Sequence, residues 1–288
     1  MITGSTADAA FDAALDTLHG SRDDLAARPP FDYEPVVAAV ADGRWEAPRA
    51  SLLAERPSRI VASWLALRNG TTSSRELVEA ALERGEATVA LGGMVEKCDD
   101  ALAAATALDH EFAAGNDRGP LHGIPITVKD VIDVGGTVTR AGSEAYSRLP
   151  TVDALAVARL RAAGAIVIGK AATHEFALGV TSPQSRNPHD ITRIPGGSSG
   201  GSVVCVVSGA GHGSLGTDTR ASIRVPAALS GAVGFKPTYG RIPTDGVVTL
   251  AWTMDHVAPL AGTVTDAALM LDAMLGGSSA LAWTDDPI

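Results

Sequence analysis

From residue 58 onward the apolar positions fall into regular rhythms. Ile60, Val61, Trp64 and Leu67 share one helical face, and Asn69-Gly70 supplies a stop. Ser73 or Ser74 then stands where an N-cap is needed, ahead of a helix carrying Leu77, Val78 and Leu82. A third helix is expected over about residues 99–114. The run Ile124-Pro125-Ile126-Thr127-Val128-Lys129 reads as a strand. A helix over residues 153–163 ends at Gly164, and residues 165–168 read as a buried strand directly after it. That short turn is the helix-to-strand half of a βαβ unit. Residues 198–216 are rich in Gly and Ser but contain Val203-Val204-Cys205-Val206-Val207, so the stretch lies against a core. Residues 235–241 have strand and turn character, and a last helix is expected over 264–275. The alternation predicts an α/β fold around a mostly buried sheet.

Residues 1–57 read differently. Phe11, Leu15 and Leu18 suggest a helix, Arg28-Pro29-Pro30 would break any helix running into it, and a short second helix is expected over 36–40. The expected organisation is an N-terminal helical extension over 1–57 and one larger domain over 58–288.

Composition narrows the function classes. The 288 residues are 45% hydrophobic and 19% charged, an ordinary globular balance. The net charge of −10, without any basic run, argues against nucleic-acid or anionic-membrane partners. Cys98 and Cys205 offer no disulfide framework, which suggests free thiols in a reducing compartment. The first residues carry neither a basic n-region nor an apolar h-region, and the apolar run at 203–207 is far too short to span a bilayer. A soluble, cytoplasmic protein is expected.

Candidate chemistry is concentrated in residues 119–130, 195–202 and 216–227. Taken singly, each has a plain structural reading. Lys129 fits a solvated strand end, the Gly/Ser run a flexible linker, and Ser222 a helix N-cap. However, Lys129 closes an apolar run, where desolvation would lower its pKa, and a neutral lysine can serve as base to a serine.

In motif and spacing these segments resemble the amidase signature family, whose hallmark is a Ser–cis-Ser–Lys triad. The likeness covers roughly residues 58–276 and extends to Gly169-Lys170, His174-Glu175-Phe176, Arg186-Asn187-Pro188 and Gly234-Phe235-Lys236-Pro237-Thr238. The resemblance implies a mixed, twisted sheet flanked by helices, and a hydrolase of amide-type C–N bonds. It implies Lys129 as general base, Ser198 as bridging serine after a cis peptide at Gly197, and Ser222 as nucleophile. The backbone N–H groups of Thr219, Arg220, Ala221 and Ser222 would form an oxyanion hole, each donor typically worth about 3–4 kcal/mol. Ser199 and Asp218 would orient the loop, with Arg224 pairing to Asp218. No metal or organic cofactor is implied. His122, His174 and His212 belong to no G-x-S-x-G elbow and read as structural.

Two departures from the family pattern stand out. Arg220-Ala221 stands where the family usually has Gly-Gly or X-Gly before the nucleophile; a positive φ at Ala221 would cost roughly 1–2 kcal/mol. Arg220 either clamps a substrate carboxylate or points to solvent; the clamp would favour a small carboxylated amide or urea-type substrate. The family's domains also continue well past residue 288. Either the sequence is a fragment of a longer chain, or a sheet edge is exposed and a second copy or another protein chain as partner covers it.

Rival readings remain. Gly211-x-Gly213-x-x-Gly216 matches a dinucleotide fingerprint with residues 203–207 as the preceding strand, yet residues 232–244 lack the acidic partner. Others are an amidase-like scaffold that has lost turnover, and a glutaminase-type component of a tRNA-dependent amidotransferase.

Overall fold

The computed structural model describes residues 57–276, so the expected helices within 1–56 lie outside the described residues. Helix α1, Arg59–Arg68, opens on Ser58, whose hydroxyl accepts from the Val61 N–H, and buries Ile60 and Leu67. It ends at Asn69, with Gly70 at φ +67°. Ser73, rather than Ser74, caps α2, Ser74–Ala87. Its side chain takes the Glu76 N–H while the Glu76 carboxylate takes the Ser73 N–H at 2.9 Å. Ser74 is instead buried, its own N–H donating to Asp109 at 2.6 Å.

Strand β1 (Met94–Lys97) and helix α3 (Ala101–Ala113) follow. Strand β2, Pro125–Lys129, is buried at every position, as befits a strand covered on both faces. Helix α4, Leu155–Ala162, is closed by Gly164 at φ +96°, and β3, Ile166–Ala171, starts two residues later, the expected helix-to-strand turn. β3 runs past the expected end at 168, paired to Ala171 with both β1 and β2, and Lys170 within it finds a buried counter-ion in Asp130 at 2.9 Å.

Val203–Val207 lie in helix α5, Gly200–Ser208, despite their β-branched character. Tertiary burial overrides propensity here: Val203 and Val206 pack with Ile223, Ala258 and Leu260. The dinucleotide reading fails on this point. Its preceding strand is a helix, and Gly213 and Gly216 fall inside strand β4, Gly213–Thr217, rather than on a strand-to-helix turn. Helix α6 (Arg224–Ser230) leads to β5 (Val233–Gly234), so the strand expected within 235–241 lies just ahead of it. Strand β6, Val257–Ala261, and α7, Val264–Met274, complete the described chain.

The six strands form one mixed sheet in the order β1-β3-β2-β4-β6-β5. The central strands β3, β2 and β4 are parallel; β1 joins β3, and β6 joins β4 and β5, in antiparallel fashion. The register aligns Val128 with Leu215, so β2 and β4 end side by side at Lys129 and Thr217. Loops leaving the carboxyl ends of such parallel strands are where open α/β sheets place their sites. Among the described residues no helix is long and apolar enough to cross a membrane.

Candidate active site

Lys129, the last residue of β2, has no exposed surface. Its Nζ donates to Ser198 Oγ at 2.7 Å and to Thr217 Oγ1 at 2.7 Å, and among the described residues it meets no carboxylate. Burial draws its pKa down to about 7, against the opposing pull of Asp218 and Asp255. At neutral pH a large share of this amine carries no proton.

Ser198 follows a cis peptide bond after Gly197. Only glycine fits at 197, since a Cβ there would lie 1.9 Å from the Thr181 carbonyl oxygen. The Ser198 carbonyl accepts the His174 N–H at 3.2 Å and the Ser182 hydroxyl at 3.1 Å. Ser199 lies behind it, donating its hydroxyl to the Thr217 carbonyl at 3.1 Å and its N–H to the Ser222 carbonyl at 3.2 Å. Residues 198–199 are thereby stitched both to the end of β4 and to the segment carrying Ser222.

Ser222 is 4% exposed. Among the described residues its hydroxyl makes no hydrogen bond, so the link from Ser198 to Ser222 implied by the resemblance is not made in this structure.

The segment between Asp218 and Ile223 is organised around the Asp218 carboxylate. Oδ2 receives the Ile223 N–H at 3.2 Å and Arg224 Nε at 3.1 Å. Oδ1 receives Lys236 Nζ at 2.9 Å and Arg224 Nη2 at 3.2 Å. Burial pushes this carboxyl up, but the bonds from Arg224 and Lys236 outweigh it and hold it below the usual carboxylate range. The expected Asp218–Arg224 pairing is therefore present.

Among the described residues, none of the backbone N–H groups of Thr219, Arg220, Ala221 and Ser222 donates a hydrogen bond, although the carbonyl of each corresponding peptide is engaged. The Asp218 carbonyl meets His256 Nδ1 at 3.1 Å, and the Thr219 carbonyl accepts Lys236 Nζ at 3.3 Å. The Arg220 carbonyl accepts Arg224, and the Ala221 carbonyl accepts the Val225 N–H at 2.8 Å. In a trans peptide the N–H points away from its carbonyl, so each bonded carbonyl fixes the direction of one free donor. Consecutive free N–H groups are a recognised cradle for developing negative charge.

Ala221 is not among the non-glycine residues with positive φ, which are Ala141, Phe176 and Ala177. The strain considered for the missing glycine does not arise. Arg220 is exposed, and among the described residues its guanidinium has no partner.

The three histidines bond elsewhere. His122 is buried, its ring contacting the Arg118 N–H at 3.2 Å and the Leu108 carbonyl at 3.0 Å. Burial and Arg59 bring His212 down to about 4, and its Nε2 lies 2.8 Å from Ser63 Oγ. The His174 ring lies 3.4 Å from the Glu175 carbonyl oxygen.

The sequence assigned no role to Thr217, Lys236, His256 or Asp255, which accepts the Thr219 hydroxyl at 2.6 Å. The only available signal for Thr217 was its place directly before Asp218. The register that sets it beside Lys129 is a tertiary fact.

Comparison with known proteins gives a consistent outcome. A protein-family profile described as Amidase matches residues 76–287. A Glutamyl-tRNA(Gln) amidotransferase component from Anaeromyxobacter dehalogenans (strain 2CP-C) is 50% identical over 214 residues, which is 71% of this chain and 43% of that protein. A crystal structure of an amidase aligns with TM-score 0.72 and 44% identity, covering 76% of this chain and 52% of that one. The native peptide amidase from Stenotrophomonas maltophilia aligns with TM-score 0.73 and 37% identity, covering 77% and 48%. The chain thus spans about half the length of the relatives it matches.

Proposed function

The chain belongs to the amidase family, and we propose that it cleaves a C–N amide or urea-type bond through an acyl-enzyme on Ser222. The reading is carried by Lys129, a fully buried amine near pKa 7 whose only close partners among the described residues are hydroxyls, one of them Ser198. Neutral Lys129 accepts the Ser198 proton while Ser198 takes the proton of Ser222. The freed Ser222 oxygen then attacks the substrate carbonyl carbon. The resulting oxyanion is held by the N–H groups of residues 219–222, and the proton returns through Ser198 to the leaving nitrogen. Water attacks the acyl-enzyme by the same route in reverse, releasing the acid. Chemistry of this kind needs neither metal nor organic cofactor.

Arg220 supports a carboxylated substrate, because its exposed guanidinium, without a partner among the described residues, stands in the middle of the donor segment. Equal turnover of neutral and carboxylated amides, unaffected by Arg220→Ala, would remove that preference. We further propose a cytoplasmic protein that works with a second copy or with another protein chain as partner.

Relatives named as parts of a Glutamyl-tRNA(Gln) amidotransferase favour a second reading. Here the acyl donor is a glutamine-type amide and the ammonia passes to a partner. Partner-dependent ammonia release from glutamine would select it over a free-standing amidase. A fluorophosphonate probe tests the core of both readings: it should label Ser222 and fail on Ser222→Ala. An unlabelled, folded protein would instead indicate a scaffold without turnover.

A further inference from the structure

The direction of the donors at 219–222 depends on what grips their carbonyls. Among the described residues, Lys236 is the one cation that reaches this segment from beyond β5. Its side chain is 21% exposed, and its ammonium bonds Asp218 Oδ1 at 2.9 Å and the Thr219 carbonyl at 3.3 Å. The Thr219 carbonyl and the Arg220 N–H are opposite ends of one planar peptide. The Thr219 side chain is tied separately to Asp255 at 2.6 Å, so residue 219 is anchored at two points while the Arg220 N–H stays free.

We propose that Lys236 is a positioning residue of the acyl-transfer site: by gripping the Asp218 carboxylate and the Thr219 carbonyl together, it aims the Arg220 N–H at the substrate oxyanion. The inference rests on the function proposed above. It also predicts an electrostatic signature. The charged groups facing Lys129 are Asp218 and Asp255. Asp218 in turn faces Arg224 and Lys236, with the His256 ring on its carbonyl. Removing the Lys236 charge leaves Asp218 less compensated, which favours protonated Lys129 and moves the pH midpoint for acylation upward.

The test compares the unaltered protein with Lys236→Met and Lys236→Arg, each checked by thermal unfolding. Acylation is read by fluorophosphonate labelling and by steady-state hydrolysis of an amide that the unaltered protein accepts. Loss of one aimed donor should lower kcat about a hundredfold in Lys236→Met, with KM within about twofold. The pH midpoint should rise, and Lys236→Arg should recover most of the rate. Unchanged kcat in folded Lys236→Met, a fall no larger than its unfolded fraction, or an unmoved midpoint would overturn the proposal while labelling of the unaltered protein preserved the function. If the unaltered protein neither labels at Ser222 nor hydrolyses any amide, both readings fall.

Discussion

Two lysines without exposed surface sit on neighbouring parallel strands, Lys129 on β2 and Lys170 on β3, with Val128 opposite Lys170 and Lys129 opposite Ala171. Their surroundings diverge at the ammonium. Lys170 bonds the Asp130 carboxylate at 2.9 Å and the Thr139 hydroxyl at 2.8 Å, and Asp130 also receives the Arg140 N–H. The pair closes the loop between residues 130 and 141, where the Ala141 N–H returns to the Asp130 carbonyl at 2.8 Å. Lys129 has hydroxyls alone among the described residues. Burial pulls both amines below the ordinary lysine value, but a carboxylate in contact opposes the pull at Lys170, whereas the carboxylates acting on Lys129 are not bonded to it. Burial without a counter-ion in contact suits Lys129 to the base role proposed for it, whereas burial against Asp130 suits Lys170 to anchoring a loop.

The sharpest way to break this contrast is to replace each amine by an isosteric apolar chain. Lys129→Met should lower amide hydrolysis by roughly 10²–10⁴ while leaving the protein at least as stable at pH 7, measured by urea unfolding. Lys170→Met should instead cost stability while the folded protein keeps most of its hydrolysis. Stranding Asp130 in the interior should cost about 3–5 kcal/mol in urea unfolding, and adding Asp130→Leu should recover most of it. Equal losses of stability in both lysine variants would erase the distinction.

A smaller effect sharpens it through pH. With a base near pKa 7, hydrolysis should rise about tenfold per pH unit below that value and level off above it. Folding stability carries the matching sign. Between pH 7 and the unperturbed 10.5, the unfolded chain holds a proton on Lys129 that the folded chain lacks, so stability should increase with pH across that window. Lys129→Met should flatten both curves. The smallest change is expected from Thr217→Val. Removing one acceptor of the charged amine should cost about 1 kcal/mol in transition-state stabilisation and move the rate midpoint lower, the opposite direction to Lys236→Met.

Much of the fold could be read along the chain because local signals agreed with it. Asn69-Gly70, the Ser73-Ser74 pair and Gly164 are terminators and caps that act within a few residues; in the structure Asn69-Gly70 and Gly164 end helices and Ser73 of the pair is the cap. The helix at Val203–Val207 went unseen because its β-branched run is helical only through what it packs against. At the site, the motif residues lay in recognisable sequence, and the structure joins Lys129 to Ser198 and Asp218 to Arg224. Thr217 and Lys236 lay in the quoted stretches without a role, and His256 and Asp255 lay outside them, because their meaning comes from strand register and from contacts spanning many residues. The buried Lys170–Asp130 pair was hidden for the same reason, as the two residues lie 40 positions apart.

The start of α5 has a consequence for how such a protein can diversify. Gly197 is pressed against Thr181, and a Cβ on Gly201 would stand 2.3 Å from the Ala172 nitrogen and 2.5 Å from the Gly93 oxygen. Main chain meets main chain at both positions, so no side-chain rearrangement makes room for a heavier residue. Random libraries should return these glycines unaltered, and tolerated changes should fall at exposed positions such as Arg220.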